Sequence, residues 1–285
     1  MLAAKRIQSP NTFTYRPLDP DAGEIRLMRI ERSDDETRPV QIKVKHVPLN
    51  DQSDYTALSY TWGSESPTFD IYIYGDGSAA DAFSVRQNLH DFLLEMRSDG
   101  DDSWFWVDQI CINQNDQEEK SQQVRRMPEI YTKARGVLIW LGTAFEGSDD
   151  LMERVSFYSE ASASEIRERA EAYIVHGQEG ERQGKDDRGH TKYKWTNRLE
   201  ARQPSTPSRM SRRNELEELW KKHRPICRRL VGLAYFKRVW IIQEIRLNYR
   251  RTVRLGSKSA KWHYLMTFLS YMRNPDDRSY GSVRN

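Results

Sequence analysis

Apolar and polar residues alternate with a period of two along two early segments of the chain. Residues 41–47 and 71–74 alternate in this way, 24–30 and 55–62 are further runs of strand-forming residues, and the run at 71–74 is followed by the turn sequence Gly75-Asp-Gly77. Period-two alternation bounded by turn residues is typical of half-buried strands. These segments therefore predict four strands before a hairpin or turn at Gly75.

The apolar spacing changes to that of helices after residue 84. A first helix is predicted from an N-cap at Ser84 to Gly100, on the apolar positions Val85, Leu89, Phe92, Leu93 and Met96. Residues 104–107 predict a buried strand continuing into Ile110 and Ile112, and a second helix follows from Asn115 or Asp116 to Gly136. Residues 137–141 form another apolar run. The order strand–helix–strand–helix–strand predicts an α/β layer with a partly parallel sheet.

The second half of the chain differs in composition. An amphipathic helix is predicted over 148–175, and the charged stretch 176–214 reads as a surface insert or linker. Helical spacing resumes at 216, a short strand is predicted at 252–255, and a last helix begins at Trp262. We therefore expect an α/β core in 1–145, a helix plus charged polar insert in 146–215, and a helix-rich part completing the same domain in 216–285.

Composition and charge exclude several classes of function. The chain has 45 Lys and Arg against 42 Asp and Glu, so no global basic field favours nucleic acid or a membrane surface. No apolar run approaches the ~20 residues of a membrane span, and the N-terminus lacks a signal-peptide core. The two cysteines, Cys111 and Cys227, suit a reducing compartment and buried positions. The sequence therefore predicts a cytoplasmic protein, with the nucleus as the alternative.

Three separated blocks carry a family resemblance. They are Ala57–Gly63 (ALSYTWG), Trp106–Val124 with the apolar positions up to Gly142, and Tyr235–Ile245 (YFKRVWIIQEI). In this order and spacing they resemble the heterokaryon incompatibility (HET) domain family of filamentous fungi. The resemblance spans about residues 13–265, with the main exception of 176–214.

The resemblance implies a role and a set of partners. Family members act in allorecognition and innate defence, and they trigger programmed cell death after incompatible cells fuse. The partners implied are proteins, either incompatibility or sensor proteins, together with self-association; neither nucleic acid nor a membrane span is expected. The family has been compared with Toll/interleukin-receptor-like domains, which implies a core of that type.

Two residues near strand ends are candidates for ligand contact in the first block. Trp62 is suited to stacking on a base or ribose, and Gly63 permits close backbone approach. A core tryptophan followed by a turn glycine is the alternative. Asp108, which follows the strand at 104–107, is a candidate to orient a ribose hydroxyl or a catalytic partner, or else to cap the loop behind it.

The loop and helix that follow Asp108 supply further candidates. Asn113 and Gln114 are neutral amides suited to hydrogen bonding a ligand or the neighbouring backbone. Glu119 matches the family pattern and could stabilise an oxocarbenium-like state at a glycosidic bond. First-turn glutamates are also common for helix-dipole reasons alone, so that alternative stays open.

The third block predicts a structural role. Arg238, Trp240 and Glu244 lie close in sequence, and an Arg–carboxylate pair there would hold the C-terminal part against the sheet. The histidines and cysteines show no metal-ligand spacing, so no metal site is predicted.

Two functions of different classes follow. The first is an effector that works through regulated protein contacts and self-association. The second is an enzyme, a glycohydrolase of nicotinamide dinucleotide (NAD) type, with Glu119 and Asp108 as its catalytic carboxylates. No resident cofactor is predicted, and NAD enters only as the substrate of this second hypothesis.

Overall fold

A mixed nine-stranded sheet forms the centre of the protein. The computed structural model describes residues 12–33, 35, 37–50, 53–66, 68–74, 80–160, 179–185, 191–196, 222–238, 244 and 246–271. The strands in chain order are β1 (Glu24–Ile30), β2 (Gln41–Pro48), β3 (Thr56–Tyr60), β4 (Thr68–Tyr74), β5 (Asp81–Arg86), β6 (Phe105–Trp106), β7 (Gly136–Trp140), β8 (Glu179–Lys185), β9 (Thr191–Thr196), β10 (Arg251–Leu255) and β11 (Lys258–Lys261). The sheet order is β11-β10-β7-β3-β6-β1-β2-β4-β5.

The sheet is partly parallel, as the sequence predicts. Strands β10, β7, β3 and β6 run parallel to one another, and β2 is parallel to β4. The β6–β1, β1–β2, β4–β5 and β10–β11 pairs are antiparallel. The predicted α/β class is therefore confirmed. The likeness to Toll/interleukin-receptor domains stays a prediction.

Helices cover both faces of the sheet. The helices of the described residues are α1 (Gln87–Asp99), α2 (Asp108–Cys111), α3 (Gln117–Lys133), α4 (Ser148–Glu160), α5 (222–231) and α6 (Trp262–Tyr271), with a 3-10 turn at Ala234–Lys237. Phe92 of α1 packs edge-on against Phe105, whereas Tyr131 of α3 packs against Trp106. Because successive residues of a strand point to opposite faces, α1 and α3 lie on opposite sides of the sheet.

Two predicted elements differ locally from the structure. Ser84 lies in strand β5, where its Oγ donates to Asp70 Oδ1 (2.6 Å), and α1 begins only at Gln87. The apolar spacing misled because Val85 is buried and fits the strand as well as the helix. Residues 108–111 form the short helix α2 instead of continuing a strand, and Ile110 is buried in either case.

The C-terminal part extends the same sheet. Strand β10 adds to β7 in parallel, and β11 returns beside it as a hairpin. Val253 and Leu255 are fully buried there, so this addition enlarges the core.

The segment predicted as an insert contains regular backbone structure. Strands β8 and β9 form a two-stranded antiparallel sheet of their own, and the assignment of 176–214 as an insert stays a prediction. The predicted helix extension over 161–175 lies outside the described residues. Within the described residues, no helix combines the length and hydropathy that crossing a bilayer requires.

The parallel strands create two distinct edges of the sheet. Their carboxyl ends, Tyr60, Trp106, Trp140 and Leu255, meet at what we call the carboxyl edge. Their starts meet at the opposite amino edge. In open α/β sheets, ligands bind outside the carboxyl ends of the strands.

Candidate functional site

The carboxyl edge joins the first two motif blocks through Trp62 and Asp108. The indole Nε1 of Trp62 donates to Asp108 Oδ2 (2.8 Å), and Gln109 N donates to Oδ1 (2.8 Å). Both Trp62 and Asp108 are half-buried. Burial raises the pKa of Asp108, while the hydrogen bonds from Trp62 and from the Gln109 backbone oppose that rise.

The turn after β3 is held by residues at the start of α1. Gly63 has a positive φ of 74°, which favours glycine. Arg86 Nη1 donates to the Gly63 carbonyl oxygen (3.3 Å), and its guanidinium lies 5.0 Å from the Trp62 ring centroid. Asn88 Nδ2 donates to the carbonyl oxygen of Thr61 (2.6 Å). Trp62 therefore contacts the Asp108 carboxylate through its indole N–H and the Arg86 guanidinium through its ring.

The two amides of the second block are placed differently from each other. Gln114 Nε2 donates to the backbone carbonyl oxygen of Asp108 (2.9 Å), so Gln114 belongs to the Trp62 environment. Asn113 instead donates its backbone N–H to Glu119 Oε1 (2.7 Å). Its side-chain oxygen accepts from Asn115 N (3.2 Å). Both amides thus fix the loop between α2 and α3.

Glu119 pairs with Arg26, a buried arginine of β1. Arg26 Nη1 donates to Oε1 (2.6 Å) and Nη2 to Oε2 (2.9 Å), and the two side chains are 1% and 9% exposed. Such two-point pairs are the strongest Arg–carboxylate arrangements. No hydrogen bond among the described residues joins the carboxylates of Glu119 and Asp108. Each belongs to a separate set of contacts.

The third block reaches the sheet through a buried chain of polar groups. Ser59 Oγ donates to Glu244 Oε2 (2.5 Å) and lies 2.7 Å from the Tyr235 hydroxyl. Since serine has one hydroxyl proton, Tyr235 is the donor to Ser59. Arg238 Nη2 donates to Glu244 Oε1 (3.0 Å). Trp240 lies outside the described residues.

Electrostatics tie this chain of contacts to Asp108. Burial raises the pKa of Glu244, and the Arg238 charge and the Ser59 hydroxyl lower it in part. The charge of Arg238 also lowers the pKa of Asp108. Tyr60 adds a second link between the Ser59–Glu244 contacts and Asp108. It follows Ser59 in β3, and its hydroxyl donates to Oε1 of Gln109 (3.2 Å), the residue after Asp108. These contacts therefore bring the three motif blocks together.

Several residues of this site carry no role in the sequence analysis. Three of them, Ser59, Tyr60 and Tyr235, lie within the motif blocks. The sequence does not reveal which residue a serine or tyrosine hydroxyl in an apolar run binds by a hydrogen bond. Arg26 had a clearer signal, since a charged residue in a strand buried on both faces requires a buried counter-charge. Asn88 carries no local signal at all.

The contacts made by the carboxylates and thiols near the carboxyl edge limit the chemistry that they can perform. The carboxylates of Glu119 and Glu244 are each held by an arginine, whereas Asp108 and Trp62 retain partial exposure. Cys111 and Cys227 are buried free thiols, and burial raises the pKa of each to about 12, which makes them poor nucleophiles. No cluster of three potential metal ligands occurs among the described residues.

Comparison with known proteins agrees with the arrangement of the motif blocks. The model of the heterokaryon incompatibility protein (HET) family matches residues 55–244, which is more than half of the chain. The chain is also 33% identical over 161 residues to heterokaryon incompatibility protein 6, OR allele, of Neurospora crassa; the match covers 53% of this chain and 24% of that relative. It therefore spans about a quarter of the length of that curated relative. No solved structure matches. On the family match, this chain belongs to the heterokaryon incompatibility protein family.

Proposed function

We propose that this chain is an effector of allorecognition and defence that triggers programmed cell death in the cytoplasm through regulated protein association. Family membership supports an incompatibility-type function. An incompatibility response requires that products of two cells meet, which implies protein contacts. The partners proposed are incompatibility or sensor proteins and further copies of the chain.

One observation favours association over catalysis. The three motif blocks converge on a cluster whose buried charges are neutralised within the chain, by Arg26 for Glu119 and by Arg238 for Glu244. A general acid or base needs access to the proton that it transfers. These glutamates are instead engaged in holding distant segments together. The cluster is therefore suited to maintaining a rigid body that presents surfaces to partners.

A second candidate function rests on Asp108 and Trp62. Both are partly exposed at the carboxyl edge of parallel strands, where α/β ligands bind. In a nicotinamide dinucleotide glycohydrolase, Asp108 and Glu119 would hold ribose hydroxyls and stabilise an oxocarbenium-like state. This role requires Glu119 to exchange its contact with Arg26 for one with the substrate.

Inducible expression in a filamentous fungus tests both candidates. Cell viability and the total nicotinamide dinucleotide level are followed for the wild type, Asp108→Asn and the double variant Arg26→Met/Glu119→Leu. The double variant removes both buried charges together, so the fold is not left with an unpaired ion. We expect the wild type and the double variant to kill equally, with dinucleotide levels steady until viability falls.

Two other results would decide differently. A fall in dinucleotide that precedes death, and that is abolished in both variants, would establish the glycohydrolase. Full viability of cells that contain the folded wild-type chain at high level would contradict the proposed effector role.

A further inference from the structure

A short loop at the amino edge presents an exposed aromatic side chain on a firmly held backbone. We call residues 246–250 the Tyr249 loop. Asn248, in its middle, is 5% exposed, and its Nδ2 donates to the carbonyl oxygens of Tyr131 (3.2 Å) and Ala134 (2.7 Å) at the end of α3. Tyr249 is nevertheless 79% exposed. The anchor thus fixes a loop whose aromatic ring points into solvent.

The neighbours of Tyr249 are also directed outward. Leu247 is 37% exposed, and Arg246 and Arg250 are exposed. The Arg250 guanidinium lies 5.3 Å from the Tyr249 ring centroid, and its backbone N–H is fixed by Asn248 Oδ1 (2.9 Å). Tyrosine and arginine are, with tryptophan, the residue types enriched among those that dominate protein–protein binding energy. The loop therefore has the composition of an interface anchor.

The surroundings of the Tyr249 loop are strongly basic. Four basic residues, Arg246, Arg250, Arg251 and Lys261, lie in the loop or at the adjoining ends of β10 and β11, and residues 246–261 include no acidic residue. The pKa of His263 is lowered by burial and then by the charges of Arg251 and Lys261, which lie at the same edge. The loop consequently fits a partner surface that carries carboxylates.

A recess rich in carboxylates lies on the same edge of the sheet. We call it the aspartate recess; its volume is about 280 Å³, and its lining includes Asp54, Tyr55, Asp101, Asp102, Trp104 and Arg135. The recess is large enough to admit the phenol of a tyrosine, and its aspartates are suited to an arginine beside that tyrosine.

The ion pairs already present at the aspartate recess are exposed. Asp54 lies 3.6 Å from Arg135, and Asp102 lies 3.1 Å from Arg32. Exposed pairs of this kind contribute about 0–1 kcal/mol, so another arginine can replace them at little cost. Two cations also lie against the Trp104 ring, Lys45 with its Nζ 3.9 Å and Arg29 with its guanidinium 5.0 Å from the ring centroid.

The Tyr249 loop and the aspartate recess are near neighbours. The loop leads into β10, and the recess lies where β3 and β6 begin, so the order β10-β7-β3-β6 separates them by three strand spacings, or roughly 14 Å. Val137 N at the start of β7 donates to the Arg250 carbonyl oxygen (2.9 Å), which fixes this separation. Both features therefore fit within one interface of ordinary size.

We propose that the amino edge is a self-association surface, in which the Tyr249 loop of one copy enters the aspartate recess of a second copy and receives that copy's loop in return. A basic aromatic projection beside an acidic recess is self-complementary, which is the requirement for a closed two-fold dimer. The inference rests on the proposed function only in that it identifies one partner of the association as the chain itself. A nucleic acid or an anionic membrane fits less well, because the three aspartates would repel it.

Sedimentation of the full chain over a range of concentrations tests this pairing. We expect a reversible dimer whose dissociation constant rises about tenfold or more in Tyr249→Ser and in Arg250→Glu, as loss of an interface anchor predicts. Asp102→Arg should weaken the dimer similarly, and Arg250→Glu/Asp102→Arg should restore it. Arg125→Glu, the same charge change on the exposed surface of α3, serves as the matched control and should leave the dimer unchanged.

Three results would overturn the proposal. The first is a monomer at every concentration, and the second is a dimer whose dissociation constant is the same in Tyr249→Ser and Arg250→Glu as in the wild type. The third is a monomer that binds a single-stranded oligonucleotide or anionic vesicles through Arg250. The outcome is independent of cell killing. A dimer without killing would contradict the effector role alone, whereas killing by a monomer would contradict the pairing alone.

Discussion

At the scale of single residues, Arg26 has a demanding environment, because its charge is almost fully buried. Its guanidinium contacts both oxygens of Glu119, the carbonyl oxygens of Cys111 (3.1 Å) and Arg16 (2.6 Å), and the ring of Tyr15 at 4.7 Å. Burying two charges costs several kcal/mol, and their mutual attraction offsets that cost only when most of their polar atoms are engaged; of the Arg26 nitrogens, Nη1 and Nη2 have partners among the described residues and Nε has none. Arg26 therefore fixes where the entry segment and the loop before α3 lie.

Breaking this pair from one side should be costly. We expect Arg26→Met to lower the free energy of unfolding by about 3–5 kcal/mol, because it leaves the Glu119 carboxylate buried without a counter-charge. Urea denaturation measures the change. Arg26→Met/Glu119→Leu should recover most of the loss. Lys43→Met, which breaks the exposed pair with Glu31, is the control and should change stability by less than about 1 kcal/mol.

The sequence predicts paired residues best when both lie in one short block. Arg238 and Glu244 are six residues apart, and their predicted pairing is present. Arg26 and Glu119 are 93 residues apart, so neither position reveals the other. The same holds for Ser59 and Tyr235, which meet only because β3 lies beneath the third block. The physical reason is that tertiary packing brings these partners together, and the residues adjacent to each one in the sequence carry no information about the other.

At the scale of elements, α3 is positioned by its first turn. The side chain of Asp116 accepts hydrogen bonds from the backbone of both Glu118 (3.0 Å) and Glu119 (3.1 Å). These bonds satisfy two backbone donors that a helix start leaves open. Of the two predicted caps, Asn115 and Asp116, the structure selects Asp116.

Removing the cap should weaken the helix without disturbing the core. We expect Asp116→Ala to reduce the free energy of unfolding by about 1 kcal/mol, within the 0.5–2 kcal/mol measured for such caps. Asn115→Ala is the matched control, since the described Asn115 hydrogen bond uses its backbone N–H and survives the substitution. Equal losses from the two variants in urea denaturation would contradict the assignment.

Helices α4, α5 and α6 meet around a buried histidine. His223 of α5 is fully buried, with its Nε2 3.4 Å from Asp150 Oδ2, and neither ring nitrogen has a well-formed hydrogen bond. The charged groups facing it are Asp150 and Arg154 of α4 and Lys222 of α5, while α6 contributes the ring of Phe268. Burial lowers the pKa of His223, and the Asp150 charge opposes that shift.

This histidine should make stability depend on pH. Its pKa is lower in the folded state than the ordinary value near 6.5, so below that value the unfolded chain binds a proton that the folded chain resists. The free energy of unfolding should therefore decrease as the pH falls from 7 to 5. His223→Phe should flatten this dependence more than His263→Gln, because the imidazole of His223 is fully buried, whereas His263 is an exposed residue whose imidazole is only partly shielded from water. An unchanged pH profile in His223→Phe would contradict the assignment.

Element boundaries were predictable where the pattern of apolar residues fits either a strand or a helix but not both. Strands β1 to β4, β7 and β10 and helix α3 follow the alternation or helical spacing of their apolar residues. The boundary at Ser84 was not predictable, because strand β5 is selected by pairing with β4 over Thr68–Tyr74. Helix α2 was missed for a related reason. Ile110 is buried in any conformation, so its burial does not distinguish a strand from a helical turn.

At the scale of the whole molecule, segments far apart in sequence form one sheet and one site. Strand β10, which completes the set of parallel strands, begins 111 positions after the end of β7. The third block follows the charged stretch 176–214. The order of the motif blocks predicts that they fold together, but it does not predict which side chains meet. The proposed effector role depends on this union, because the surfaces offered to partners belong to a body that the third block completes.

A double-mutant cycle between Ser59 and Glu244, which are 185 residues apart, measures that union directly. The free energies of unfolding of the wild type, Ser59→Ala, Glu244→Gln and the double variant give the coupling between the two side chains. We expect about 1–3 kcal/mol, as for a buried hydrogen bond to a charged group. The same cycle with the partly exposed Glu129 in place of Glu244 should give less than about 0.5 kcal/mol. Zero coupling between Ser59 and Glu244 would mean that the third block does not rest on β3, and the account of the site and of its function would fail with it.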